Sequence, residues 1–151
     1  MADIDAIVEA LRVVEERVTG VRKAFRYAPP GVVAPLPAFV NLVGSGDVVT
    51  PRIGQGVRES TIRIKAIALV QYQADSADAE RVIRQLIYDT IETLDRWKTL
   101  NGAANVISAD VVGWEEPGPY TVHGHDQPYL AVPFLVEVMV HETGTVYGTT
   151  G

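Results

Sequence analysis

The run Thr61-Ile62-Arg63-Ile64-Lys65-Ala66-Ile67-Ala68-Leu69-Val70 carries the plainest structural pattern in the chain. Thr61, Arg63 and Lys65 alternate with Ile62, Ile64 and Ala66, so a period of two puts polar side chains on one face of a strand and apolar ones on the other. From Ile67 to Val70 both faces turn apolar, and that part is expected to be covered twice. The strand is predicted over 61–73, with Tyr72 continuing the inner series.

Helices on either side supply the packing. Downstream, Val82, Ile83, Leu86, Ile87, Thr90, Ile91, Leu94 and Trp97 recur at helical spacing. Asp75-Ser76 opens this helix, and Asp78 and Glu80 fall in its first turn, where the helix dipole favours anions. It is predicted over 76–99, and Asn101-Gly102 supplies a stop. Upstream, Ile4, Ile7, Val8, Leu11, Val14 and Val18 form the apolar stripe of a helix over 3–19, with Arg12, Glu15, Glu16 and Arg17 assigned to its polar side. Asp3 or Asp5 can cap its start, and Gly20 suits the left-handed position at its end.

Between that helix and the strand, residues 27–37 hold Pro29, Pro30, Pro35 and Pro37, which suits an extended connector and neither a helix nor a central strand. A short strand is predicted over 38–43, broken by Gly44-Ser45-Gly46-Asp47. Residues 44–60 then read as a long loop or open hairpin arm. After the second helix come a strand from Val106 to Trp114 and a Pro- and Gly-rich loop over 115–129. A last strand covers 130–142. Leu130, Val132, Phe134, Val136, Val138 and Val140 alternate on it with Ala131, Pro133, Leu135, Glu137, Met139 and His141. Pro133 lacks a donor, so its position is expected at a sheet edge or a bulge. Residues 143–151 read as a flexible or partner-ordered tail. The order implies one α+β domain over 1–142: a mainly antiparallel sheet of about four strands, two helices on one side and long loops between strand pairs.

Composition bounds what such a domain does. The chain has 151 residues, 47% hydrophobic and 21% charged, which excludes disorder as the dominant state. It has no Cys, which excludes disulfides, thiolate metal sites and Cys nucleophiles. No apolar run approaches the roughly 20 residues of a membrane helix. The start, Met1-Ala2-Asp3-Ile4-Asp5, is acidic where a secretory signal is basic, so a protein made in a cytoplasm is expected. The net charge of −6 is uneven: every Lys and Arg lies within residues 1–98, balanced there by an equal number of acids. Residues 99–151 carry only Asp110, Glu115, Glu116, Asp126, Glu137 and Glu142. A solvated acidic face is one reading; head-to-tail docking of copies, or acids lining a passage for a polyanion, are others. Gripping nucleic acid needs clustered cations, and Arg22, Lys23 and Arg26 are the nearest approach to a cluster.

Catalytic signals are sparse. His123-Gly124-His125-Asp126 is the best metal-site candidate, with His141 as a possible third nitrogen ligand; an exposed loop is the plainer reading. Gly44-Ser45-Gly46-Asp47 and Gly54-Gln55-Gly56 lack the Lys-Ser/Thr and strand-to-helix setting of a phosphate loop. Ser45 and Ser108 lack the setting of a hydrolase nucleophile, and Glu115-Glu116 lies in a Pro-rich loop that holds no fixed carboxylate separation. No enzyme and no cofactor are expected. Assembly signals are stronger: strands apolar on both faces along part of their length, two long loops, and an uneven charge. These favour contact with identical copies, which closes into a ring or grows into a filament.

The layout resembles the tail terminator and tail completion proteins of tailed bacteriophages, including the lambda-type terminator. The parts that carry it are the helix ending at Gly20, the lead Pro35-Leu36-Pro37 into Ala38-Phe39-Val40, the arm 44–60, the strand Thr61-Ile62-Arg63-Ile64-Lys65, the helix 76–99 and the closing strand 130–142. It implies a structural virion protein made in the host cytoplasm. Such proteins form a ring, commonly of six copies, at the head-proximal end of a tail, end tube polymerisation and meet the head connector. Partners would be identical copies, the tail tube protein and head–tail connector proteins, with DNA passing through unbound. On that picture Arg52, Arg58, Leu135 and Met139 are candidates for subunit contacts, and Glu115, Glu116 and Asp126 for acids facing the lumen. The alternatives are a neck, head-closure or tail-tube subunit, or a small metal-dependent enzyme built on His123, His125 and Asp126.

Overall fold

A computed structural model describes residues 3–29, 33–49, 57–71, 76–121 and 129–143. Helix α1 spans Ile4–Glu15, strand β1 Lys23–Phe25, β2 Ala38–Val49, β3 Val57–Gln71, helix α2 Ser76–Arg96, β4 Val106–Trp114, β5 Gly118–Tyr120 and β6 Tyr129–Thr143. The strands form one six-stranded sheet in the order β1-β2-β3-β6-β4, with β5 also on β6. Only the β1–β2 pair is parallel. The fold is thus α+β with a mostly antiparallel sheet.

The first helix begins where the Asp3 side chain accepts the Asp5 amide at 2.9 Å, and both helices lie on one face of the sheet. Leu11 and Val14 of α1, with Ile83, Leu86 and Leu94 of α2, join the even-numbered residues of β3 and β6 in the main core. At its centre the rings of Phe39 and Phe134 meet at 6.0 Å, tilted by 45°. Arg17 lies over the Trp97 ring, 4.2 Å from its centroid, and ties the chain just beyond α1 to the chain just beyond α2.

The double cover expected over Ile67–Val70 has an identifiable source. On the face away from the helices, Val33, Ala38, Val40, Ile67, Leu69, Tyr129 and Ala131 form a second buried cluster, with Leu36 packed against it. Residues 33–37 of the Pro-rich connector therefore cover that end of the sheet, with cis bonds at Ala34–Pro35 and Leu36–Pro37. The buried Val33 amide donates to the Tyr129 hydroxyl at 3.1 Å. Tyr129→Phe leaves that donor unpaired and is expected to cost about 1–3 kcal/mol, read as a lower midpoint of urea unfolding.

The sheet corrects several expectations. It has six strands, not four, because β1 and β5 are three-residue strands. Lys23, of the nearest approach to a cationic cluster, lies in β1, and the loop 115–129 contains β5. Helix α1 stops at Glu15, and Gly20, at φ 87°, follows a set of turns. Gly44–Asp47 does not end a strand: β2 runs through to Val49, with a bulge between Val43 and Gly46. Pro133 is at neither an edge nor a bulge of its own strand. It lies in β6, opposite Ile67 of β3, and its carbonyl accepts the Glu115 amide at 2.8 Å. A residue's N and C=O point to the same side of a strand. The missing donor therefore faces the break between β4 and β5.

Candidate assembly surface

Strands β3 and β6 pair in unbroken register from Val57 with Thr143 to Gln71 with Tyr129. The helix-covered core reaches only as far as Ile62 and Val140. Beyond it, the ends of β2, β3 and β6 continue as a three-stranded wing. Every residue of β2 from Leu42 to Val49 is exposed. Leu42, Val43, Val48 and Val49 are 39%, 53%, 57% and 62% exposed. Beyond Val40, no described strand pairs with the outer side of β2. An unpaired edge carrying apolar side chains is a template for another chain.

The wing owes its shape to two glycines. At the bulge, Gly44 and Ser45 lie opposite Arg63 alone. A Cβ on Gly44 would lie 3.2 Å from the Arg63 carbonyl oxygen, and one on Gly46 would lie 2.9 Å from that of Thr61. The extra residue lets Ser45 and Asp47 both reach Arg63. Arg63 donates to Asp47 at 2.6 Å, to Ser45 at 3.4 Å and to Glu137 at 3.3 Å, joining β2, β3 and β6 on the face away from the helices. The bond to Asp47 is the main reason that the Arg63 pKa is raised.

The opposite edge of the sheet is β4. It also has no outer partner among the described residues, and it carries exposed Ile107, Val112 and Trp114. Its pairing with β6 shifts register at Ile107 and again at Val112. Two such irregularities, against the single bulge in β2, break up the row of edge donors and acceptors and blunt this edge further against pairing.

Of the candidate contact residues, Leu135 and Met139 are exposed on the outward face of β6, either side of Glu137. Arg58 lies on the β3 limb of the wing, opposite Glu142. Arg52, Asp126, His123 and His125 lie outside the described residues. His141 is opposite Glu59 in the β3–β6 ladder. Among the described residues no group of three or more His, Asp or Glu converges as a metal site would.

The uneven charge along the chain is partly matched in space. Lys98 binds Asp110 at 2.9 Å, Lys65 binds Glu115 at 3.0 Å and Arg63 binds Glu137 at 3.3 Å. Three of the six acids of the last third thus meet cations from the first two thirds, because β6 pairs with β3 and β4 packs near the end of α2. The sequence split alone therefore overstates how far acidic and basic groups are separated in the fold. Glu115 in particular is neutralised by Lys65, while Glu116 is exposed between β4 and β5.

Glu15, expected on the polar side of α1, is fully buried. Position 15 follows Leu11 by four residues and Val8 by seven, which is the spacing of the apolar stripe. That spacing was the available signal. Glu15 Oε1 accepts from Asn41 Nδ2 at 2.7 Å, and Asn41 Nδ2 also donates to the Phe25 carbonyl at 3.0 Å. Among the described residues no helix is long and apolar enough to cross a membrane. The sequence matches no protein-family model, and a search among curated proteins returns no similar chain.

Proposed function

We propose that the protein is a structural subunit that assembles with identical copies through the β2 wing, and that its assembly is a ring at the head-proximal end of a phage tail. The observation that carries the first half is the wing itself: a long strand with exposed valines on both faces and an outer edge that no described strand pairs. A self-contained domain gains nothing from extending an apolar hairpin into water. Covering one Val side chain is worth roughly 1.5–3 kcal/mol, so a neighbour seated on several gains a substantial association energy. The second half rests on the layout resemblance to tail terminators. In that setting six copies surround a channel, the ring caps the tail tube and meets the head connector, and DNA passes without being held.

Sedimentation velocity of the purified chain, with negative-stain images of the same sample, tests this. A closed ring, alone or on added tail-tube ends, is the expected result. Filaments would overturn the terminator role in favour of a tube subunit, and a monomer at high concentration that ignores tube ends would overturn both. Val43→Lys with Val48→Lys is expected to weaken association at least about tenfold, about 1.4 kcal/mol, because both side chains share one face of the wing. Both are exposed in the single chain, so its thermal unfolding should barely move.

A further inference from the structure

The buried contact between α1 and β2 leaves two oxygen atoms unaccounted for. Glu15 Oε1 and Asn41 Nδ2 are joined at 2.7 Å, but Glu15 Oε2 and Asn41 Oδ1, the other halves of the same two groups, are buried with no hydrogen-bond partner among the described residues. The orientation of the amide is fixed independently. Its nitrogen also donates to the Phe25 carbonyl at 3.0 Å, and a carbonyl can only accept. An ionised Glu15 would therefore bury a carboxylate oxygen and an amide oxygen, each an acceptor without a donor among the described residues. A protonated Glu15 can satisfy both, since its hydroxyl can donate to Asn41 Oδ1 while its carbonyl oxygen accepts from Nδ2.

We propose that Glu15 stands as a neutral carboxylic acid in the folded protein and forms a two-bond pair with Asn41, a clamp that holds α1 and β1 to the root of the wing and loosens when the acid ionises. Asn41 is the first residue of β2 beyond its pairing with β1, so the clamp grips the strand where it leaves the sheet body. The inference does not depend on the assembly reading.

The surroundings favour the neutral form. Burial pushes the Glu15 carboxyl up to about 8, against smaller opposing effects of the Asn41 hydrogen bond and Arg12; Glu16 adds to the rise. Arg12 is occupied by Glu9 and Glu16, and Glu16 also accepts the Ala24 amide of β1. Beyond Arg12, Arg26 also pairs with Glu9. From β1, the Lys23 ammonium lies 5.8 Å over the Phe25 ring. From β3, the residue opposite Asn41 is the uncharged Ala66. Near α2, Arg17 is stacked on Trp97, Arg96 pairs with Glu92 and Lys98 with Asp110.

A group whose carboxyl pKa is raised on folding stabilises the fold fully below its unfolded value, and loses that contribution as pH climbs through the folded value. The window therefore runs from the ordinary carboxylate range, 4.5, up to about 8. The test is a carbon-13 NMR titration of the Glu15 side-chain carboxyl in the intact protein, with melting temperature followed against pH for wild type and Glu15→Gln. Gln can make both bonds at every pH. The expected result is a Glu15 midpoint near 8, amide signals of Ala24, Phe25 and Leu42 that move with the same midpoint, and a wild-type melting temperature that falls across the window while that of Glu15→Gln falls less. A Glu15 carboxyl that titrates in the ordinary carboxylate range would overturn the proposal, and this needs no variant to fold. So would a Glu15→Gln profile parallel to wild type.

Discussion

Phe134→Ala is expected to cost about 3–5 kcal/mol, a large share of the roughly 5–15 kcal/mol by which a domain of this size is stable. Phe134 is fully buried and belongs to β6, the strand that joins the two halves of the sheet. Its ring meets Phe39 of β2 across the width of β3 and is covered by the helices. Removing it takes away apolar burial at the centre of the core and leaves a cavity bounded by strands whose register is pinned on both sides, so there is little room to collapse. The check is urea unfolding followed by circular dichroism, with the same slope and a much lower midpoint. Leu135→Ala is the matched control: one residue along, on the opposite face and exposed, it should change single-chain stability by no more than about 0.5 kcal/mol.

The second large effect is expected at Gly46. Its Cβ position lies 2.9 Å from the Thr61 carbonyl oxygen and 3.9 Å from the Ile62 Cα, and both obstacles are backbone atoms of the partner strand. Gly46→Val must push β2 off β3 along the wing, which breaks the grip of Asp47 and Ser45 on Arg63. A cost of about 1–3 kcal/mol is expected, with the shift of amide signals confined to the wing. If copies associate there, the oligomer should be lost as well. Gly118→Ala has nothing within 4 Å of the new Cβ and should be nearly silent.

Both effects bear on how much of this molecule could be read from its residues. The stripes of the two helices and the alternation of β3 and β6 follow from periodicity, because each is long enough to repeat its pattern several times. Strands β1 and β5, at three residues each, are too short to show one. The Gly44–Asp47 stretch looks like a break because glycine discourages strands in general. Here it is required by the approach of another strand, which no local pattern reports. Pro133 is similar: its missing donor matches a gap between two strands that lie earlier in the chain. Charge misled twice. Glu15 is an acid on the apolar stripe, where position and not side-chain type decides burial, and three of the six acids of the last third pair with cations that only the tertiary fold brings near. Of the candidate contact residues, exposure of Leu135 and Met139 followed from alternation. The apolar edge of the wing did not, since it depends on which side of β2 lacks a neighbour.

The place of β6 has a consequence for how the protein is made. It is the last strand of the described chain, yet it lies between β3 and β4. During synthesis the helices and the β2–β3 hairpin emerge first, and one flank of β3 waits without its partner until some seventy further residues have left the ribosome. Contacts this distant in sequence slow folding, and an apolar strand left open meanwhile can capture a nascent chain nearby. A cell making many copies close together would need β6 delivered promptly, so slow translation of the segment between α2 and β6 is where misfolded product should begin to accumulate.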